Sequence, residues 1–315
     1  MSAPLSPATL PARSSGWKTW LMASRPFSLT ASVIPITLGA LLAVREGVSF
    51  HILWFVLALV GGTLLQVGTN FVNTYYDYMN GVDTREQKAS IQPWLVLGWF
   101  SPGAVLAAGY LAFSVSALIG LYFIYVRGWL IAAIGLAGLL GGYWYTAGPV
   151  HYKYRGLGVP LVFVLMGPLE TLGGYVTLAG HLSWTPIAAA LPVACLVAAI
   201  LHGNDLRDFE TDREGGMVSL SHWLGWTASI RLYDALLAGA YVFALLNVAV
   251  GILPIWSLLV LATVPAAWQL MRRVHAGGQC IIPVEPLTAK LHMQFGLALS
   301  LSILVAGWFP LPWPV

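Results

Sequence analysis

Apolar residues gather into nine stretches, near 27 to 44, 52 to 75, 103 to 126, 129 to 147, 157 to 179, 184 to 203, 227 to 250, 254 to 271 and 291 to 309. Each is close to the roughly 20 residues that a helix needs to cross a hydrocarbon core. The pattern therefore predicts an all-α polytopic membrane protein, a bundle of about nine transmembrane helices. Residues 1 to 16 are rich in Ser, Pro and Ala and lack the compact apolar segment of a cleaved signal, so they are expected to form a disordered tail ahead of one membrane domain, 17 to 315. The connections 84 to 102, 213 to 226 and 272 to 290 are longer than turns. Within the first, 91 to 100 is apolar but too short to span, and is expected at the interface or folded over a site.

Charge then orients the bundle. With the N-terminus cytoplasmic, 13 of the 15 Lys and Arg residues fall on the inner side and only Arg45 and Arg127 outside. One helix too many or too few would invert everything after it, so this bias supports the helix count. The chain is 58% hydrophobic and 9% charged, with mean hydropathy +0.78, more apolar than a soluble domain can bury. No basic, aromatic-interleaved surface suggests nucleic acid. The two cysteines have no zinc or redox spacing, and no nucleotide loop or HExxH motif supports ATP use or zinc hydrolysis.

Acid is where the chain is least uniform. Of 12 Asp and Glu residues, three lie in 77 to 86 and five in 205 to 214, so 3 + 5 = 8 occupy two short islands. On helices, spacings of three and four put Asn70, Asn73 and Asp77 on one stripe and Asn204, Asp208 and Asp212 on another. Gathered carboxylates repel one another without a cation, and hard oxygen ligands suit Mg²⁺, which completes its shell with water and phosphate. Asn73, Asp77, Asp83, Asp208 and Asp212 are thus the candidate metal ligands, with Asn73, Asp77, Asp208 and Asp212 the catalytic candidates. Asn70, Asp83, Asn204, Tyr145 and the cations Arg85, Lys88, Lys153, Arg155, Arg207 and Arg213 are candidate substrate contacts. Solvated loop charges explain one such island but not two of matching design. A cation-coupled transporter is the competing class, yet transporters place their ionisable groups nearer the membrane midplane.

Taken with Arg25-Pro-Phe-Ser-Leu, Tyr145-Thr-Ala-Gly-Pro, Tyr154-Arg-Gly-Leu-Gly, Gly167-Pro-Leu and Leu287-Thr-Ala-Lys-Leu-His, the islands resemble those of the UbiA-type intramembrane prenyltransferase family, over about 20 to 299. Within it the chain is most similar to the 1,4-dihydroxy-2-naphthoate polyprenyltransferases of menaquinone biosynthesis. The resemblance implies two Asp-rich motifs holding Mg²⁺ and the diphosphate of an allylic polyprenyl donor, an aromatic acceptor, a lipid environment, and a place in a bacterial inner membrane. Thr74, Val159 and Met217 stand where many relatives carry Asp, Glu and Lys. A phenol, a tetrapyrrole or a glycerol lipid are alternative acceptors, and a noncatalytic isoprenoid-binding protein is an alternative class. Tyr75, Tyr76, Tyr78, Tyr145 and Phe209 are candidate aromatic walls for a carbocation-like allyl group. Glu170 is the one acid expected deep in a helix and is read as buried structure. Asp234 is read as a partner of Arg231, and His202 and His222 as packing residues.

Overall fold

A computed structural model describes residues 16–83, 94–214 and 216–308. The described residues are helical, with no strand. A short α1 (Gly16–Ala23) leads through a 3₁₀ turn, Pro26–Leu29, into α2 (Thr30–Arg45). There follow α3 (Ile52–Met79), α4 (Pro102–Arg127), α5 (Trp129–Tyr143), α6 (Gly158–Ala179), α7 (Thr185–Arg207), the short α8 (Phe209–Glu214) and α9 (Leu220–Leu224), α10 (Trp226–Ala249), α11 (Ile255–Ala276) and α12 (Val284–Trp308). Of the expected tail, only Gly16 is described, and it opens α1.

Every apolar stretch of the sequence becomes a helix. Among the described residues, eight helices are long and apolar enough to cross a membrane, so this is a multi-pass integral membrane protein. The ninth, α5, has 15 residues, about 22 Å at 1.5 Å per residue and short of a hydrocarbon core of about 30 Å. Its expected extension to 147 is cut off at Tyr143, ahead of the turn that carries Gly148 at φ 66° and Pro149. The last helix starts earlier than its apolar run, at Val284, which takes residues 284 to 290 of the 272 to 290 connection into α12.

Small residues set how closely the helices approach. α7 runs through the middle of the bundle, its Ala189, Ala190, Val193, Ala194, Leu196, Ala198 and Ala199 fully enclosed against α6, α10 and α12. α2 lies directly on α6: a Cβ on Gly39 would stand 2.0 Å from the Thr171 carbonyl oxygen, and one on Gly174 2.4 Å from that of Ile36. Backbone cannot rotate aside as a side chain can. Gly39→Ala is therefore expected to destabilise the protein by about 1–3 kcal/mol, measured as a lower unfolding midpoint in detergent. Gly173→Ala, whose Cβ would meet only Ile134 Cγ2 at 3.4 Å, is expected to leave the midpoint unchanged.

The segment 94–100 packs rather than floats. Trp94 and Leu95 are buried with Ala23, Phe71 and Val105, and Trp20 and Phe100 stack at 4.1 Å. This short cluster ties α1 to the end of α3, beside the first acidic island.

Candidate active site

Three chain segments meet where α3 and α7 end. On α3, Asn70, Asn73 and Asp77 share the inward face as their spacing requires, and all are buried. The helix stops at Asn80 and Gly81, the latter at φ 73°, the usual left-handed exit. The chain then folds back so that the amides of Val82 and Asp83 both donate to the Asp77 carbonyl, at 2.9 and 3.1 Å. That turn buries Asp83 beside Asp77.

The Asn70 amide donates to the Ser24 carbonyl and to Ser28 Oγ, each at 3.0 Å. It thereby anchors the 24–28 turn, where Arg25 takes a left-handed conformation (φ 57°, ψ 62°) ahead of Pro26. Such a conformation is unfavourable for a residue other than glycine. Here it carries the guanidinium back toward α3, with Nη2 donating to Thr74 Oγ1 at 3.4 Å.

The 144–157 connection supplies the second segment. Lys153 Nζ donates to both Asp77 oxygens, at 2.6 and 2.8 Å, and to Asn73 Oδ1 at 3.1 Å. The Tyr154 hydroxyl donates to Asp77 Oδ1 at 2.9 Å. Burial first, and then the Asp77 charge, pushes the Tyr154 phenol well up from its ordinary range, so it stays a hydrogen-bond donor.

On α7, Asp208 interrupts the helix (φ −95°, ψ 10°). Its amide still bonds to the Asn204 carbonyl at 3.0 Å, and that of Asp212 to the Asp208 carbonyl at 2.8 Å, so the second stripe survives the break into α8. Asp205, Asp208 and Asp212 are all buried. Arg207 forms a two-pronged pair with Asp208, Nε to Oδ1 at 2.9 Å and Nη2 to Oδ2 at 2.6 Å. Its remaining prong reaches Glu285 on α12, which also accepts from Asn204 Nδ2 at 3.2 Å.

The two islands converge. Tyr145 is half-buried between them: burial first, and then the charges of Asp205 and Asp77, raise its phenol well above the ordinary range. A cavity of about 520 Å³ opens here, its mouth lined by Arg25, Asn70, Asn73, Tyr145 and Glu285. Beyond the mouth its walls are mainly apolar, broken by Ser32, Gln66, Thr69, Ser116, Glu170 and Thr177, and on α3 alone they extend from Asn73 to Leu57. Those 16 residues amount to about 24 Å, most of the depth of a bilayer core.

The donor set fits Mg²⁺ by its chemistry: buried carboxylates and amide oxygens, with no sulfur or imidazole among them. Among the described residues no three acidic, His or Cys side chains form a ready-made metal cluster. An ion here would take one or two of these carboxylates and complete its octahedron from phosphate and water. Asn73, Asp77, Asp83, Asp208 and Asp212 are the residues that would hold it.

Several sequence expectations change. Arg155 is exposed and, among the described residues, reaches only the Pro149 carbonyl, at 3.5 Å. Arg213 is 66% exposed and pairs with Glu210 at 2.7 Å, because the turn of α8 that buries Asp212 leaves its neighbour facing outward. Arg85 and Lys88 lie outside the described residues. Among the aromatic candidates Tyr145 lines the cavity, joined by Tyr152, whereas Phe209 stacks on His222 at 4.7 Å and Tyr75, Tyr76 and Tyr78 pack against neighbouring apolar clusters. Asp234 pairs with His275 at 2.7 Å rather than with Arg231, since the end of α11 comes alongside α10. His202 bonds the Ser229 carbonyl, and His222 caps α9 and bonds the Phe209 carbonyl, both structural as expected. Sequence reasoning did not single out Arg25, Tyr154, Asp205 or Glu285 as site residues. Glu285 had a signal, an acid two residues before the Leu287-Thr-Ala-Lys run in an otherwise basic or apolar segment.

The profile of the UbiA prenyltransferase family matches residues 32–278. The chain is 34% identical over 298 residues to UbiA prenyltransferase domain-containing protein 1 of Xenopus tropicalis, covering 93% of this chain and 84% of that one. It is 30% identical over 300 residues to 1,4-dihydroxy-2-naphthoate octaprenyltransferase of Bacillus subtilis, covering 95% and 96%. Its fold is similar to a UbiA homolog from Aeropyrum pernix (TM-score 0.63, 16% identity, 88% of this chain and 98% of that one). It is also similar to the Archaeoglobus fulgidus homolog solved with GPP and Mg²⁺ (TM-score 0.60, 16% identity, 89% and 99%).

Proposed function

Because this chain belongs to the UbiA prenyltransferase family and is a prenyltransferase, we propose that it moves a polyprenyl group from an allylic polyprenyl diphosphate to an aromatic acceptor, with 1,4-dihydroxy-2-naphthoate the leading candidate. One observation carries this reading. A cavity whose mouth carries Arg25, Asn70, Asn73 and Glu285, with Asp77 joined to Asn73 through Lys153, opens into a long, mainly apolar passage, which suits a substrate with an anionic head and an apolar tail. The relatives named for naphthoate octaprenyl transfer and solved with prenyl diphosphates and Mg²⁺ support the donor, the ion and, less directly, the acceptor.

In this scheme Asp77 and Asp208 would hold Mg²⁺, which when bound would supply positive charge for the departing diphosphate. Lys153 and Arg25 border the same mouth and add to that charge. Arg207 holds the Asp208 carboxylate in one orientation through its two-pronged pair. The bond from the allylic carbon to the diphosphate oxygen breaks, its electron pair leaving with the diphosphate, the same carbon joins an electron-rich ring carbon, and that ring carbon gives up its proton, or a carboxyl group as CO₂, to restore aromaticity. Tyr145 stands at the mouth with its phenol neutral, offering a ring face to the electron-poor allyl group. Asn73, Asp83 and Asp212 complete the proposed ligand set, and Asn70 positions the Arg25 turn. The cation bias supports a cytoplasmic mouth, and the bacterial relative supports a bacterial inner membrane.

Purified protein given Mg²⁺, labelled prenyl diphosphate and dihydroxynaphthoate is expected to release diphosphate and form a prenylated naphthalene, and to stop when EDTA is added. Turnover with a phenol but not with the naphthoate would reassign the acceptor. Uptake of substrate by vesicles without bond cleavage would reject the scheme.

A further inference from the structure

Glu170 is a carboxylate that neither acidic island uses. It follows the wide π turn Leu165–Leu169 in α6 and lines the cavity well below its mouth. Its Oε1 lies 3.2 Å from where a Cβ on Gly62 would stand, and that Cβ would also meet Ile36 Cδ1 at 2.3 Å. The glycine thus leaves the space that the carboxyl occupies. Ser32 faces it from α2, and no Lys or Arg among the described residues pairs with it. The other walls nearby are Ile36, Ile119, Ile134 and Leu169.

Depth gives this carboxyl a meaning for the donor. Gly62 precedes Asp77 by 77 − 62 = 15 residues of α3, about 22 Å of helix. At roughly 4.5–5 Å per extended isoprene unit from ordinary carbon–carbon bond lengths, a tail of about four to five units reaches it. The cavity continues beyond, toward Leu57, Phe123 and Ile131. A longer tail must therefore pass over Glu170 and strip it of water, which is unfavourable for a carboxyl given only hydrocarbon in exchange.

We propose that Glu170 is a specificity-determining residue that favours prenyl donors whose tails end before it over donors that run past it. The proposal rests on the prenyl-donor reading above. Its test compares farnesyl, geranylgeranyl and octaprenyl diphosphate at fixed acceptor and Mg²⁺, with wild type, Glu170→Leu, Glu170→Ala and Glu170→Gln. Glu170→Leu is expected to raise kcat/KM for the octaprenyl donor on the order of tenfold while changing the farnesyl value by less than about twofold. Glu170→Gln, still polar, is expected to relieve little.

An octaprenyl-to-farnesyl ratio equal in wild type and Glu170→Leu, both active, would overturn the proposal. So would loss of farnesyl turnover in both Glu170→Leu and Glu170→Ala, which would make Glu170 a structural residue. Wild-type protein inactive with all three donors would instead overturn the donor reading, and with it the premise of this assignment.

Discussion

Asp77→Ala is expected to lower prenyl transfer by a factor of roughly 10³ or more at saturating Mg²⁺, the scale seen when a charge-stabilising group is removed from an enclosed site. The reason is its position beside the mouth, where Lys153 joins it to Asn73. Asp77 is 2% exposed and binds Lys153 Nζ through both oxygens, with the Tyr154 hydroxyl as a further donor. Removing it takes a proposed metal ligand from the site and leaves a nearly buried ammonium without its carboxylate. Breaking one side of a buried pair commonly costs about 3–5 kcal/mol of stability, so a lost rate alone could report a lost fold. Asp77→Asn separates the two. The amide keeps the shape and an acceptor for Lys153 but removes the charge, so the unfolding midpoint should fall less than in Asp77→Ala while turnover remains down by roughly 10² or more. Wild-type rates in Asp77→Asn would remove Asp77 from the chemistry.

How much of this could be read beforehand depended on whether a feature was local. Hydrophobic length is local, and all nine apolar runs became helices. Their ends moved where a turn residue or an adjoining element decided, as with Gly148 after α5 and Val284 before the last apolar run. The Asn70, Asn73, Asp77 stripe was legible because spacing along one helix fixes a face. The fate of the cations was not, since a Lys or Arg near an acid in sequence says nothing about which way its helix turns. Lys153 reached Asp77 across 76 residues, whereas Arg213, one position from Asp212, turned outward. Glu285 and Arg25 belonged to segments that read as a connection and a helix start, and only the packing of α12 and α1 against the mouth brings them in. The same separation explains the Asp234 error: its partner His275 lies 41 residues on, out of reach of an argument from helix spacing.

Arg207→Ala is expected to be the most damaging change at the second island, through orientation rather than through a direct grip on substrate. The Arg207 side chain is only 4% exposed, and its donors are committed to Asp208 and Glu285. Sequence reading placed it among the substrate contacts, but this geometry makes it a positioning residue for Asp208. Removing it leaves two buried carboxylates facing each other with no cation between them, so stability should fall by about 3–5 kcal/mol. The Mg²⁺ concentration giving half-maximal rate should rise as Asp208 loses its fixed orientation. Arg207→Lys should rescue poorly, because one ammonium cannot reproduce the fork that holds both Asp208 oxygens while reaching Glu285. Glu285→Gln alone removes one of the two acids and should be mild. Combining it with Arg207→Ala should return much of the lost stability, since the repulsion is gone, while turnover stays low because Asp208 is still unheld. Coupling of about 0.5–3 kcal/mol between the two positions is expected for residues in one network. Simple additivity in the unfolding midpoints, or an unchanged Mg²⁺ requirement in Arg207→Ala, would separate Arg207 from the second half of the site.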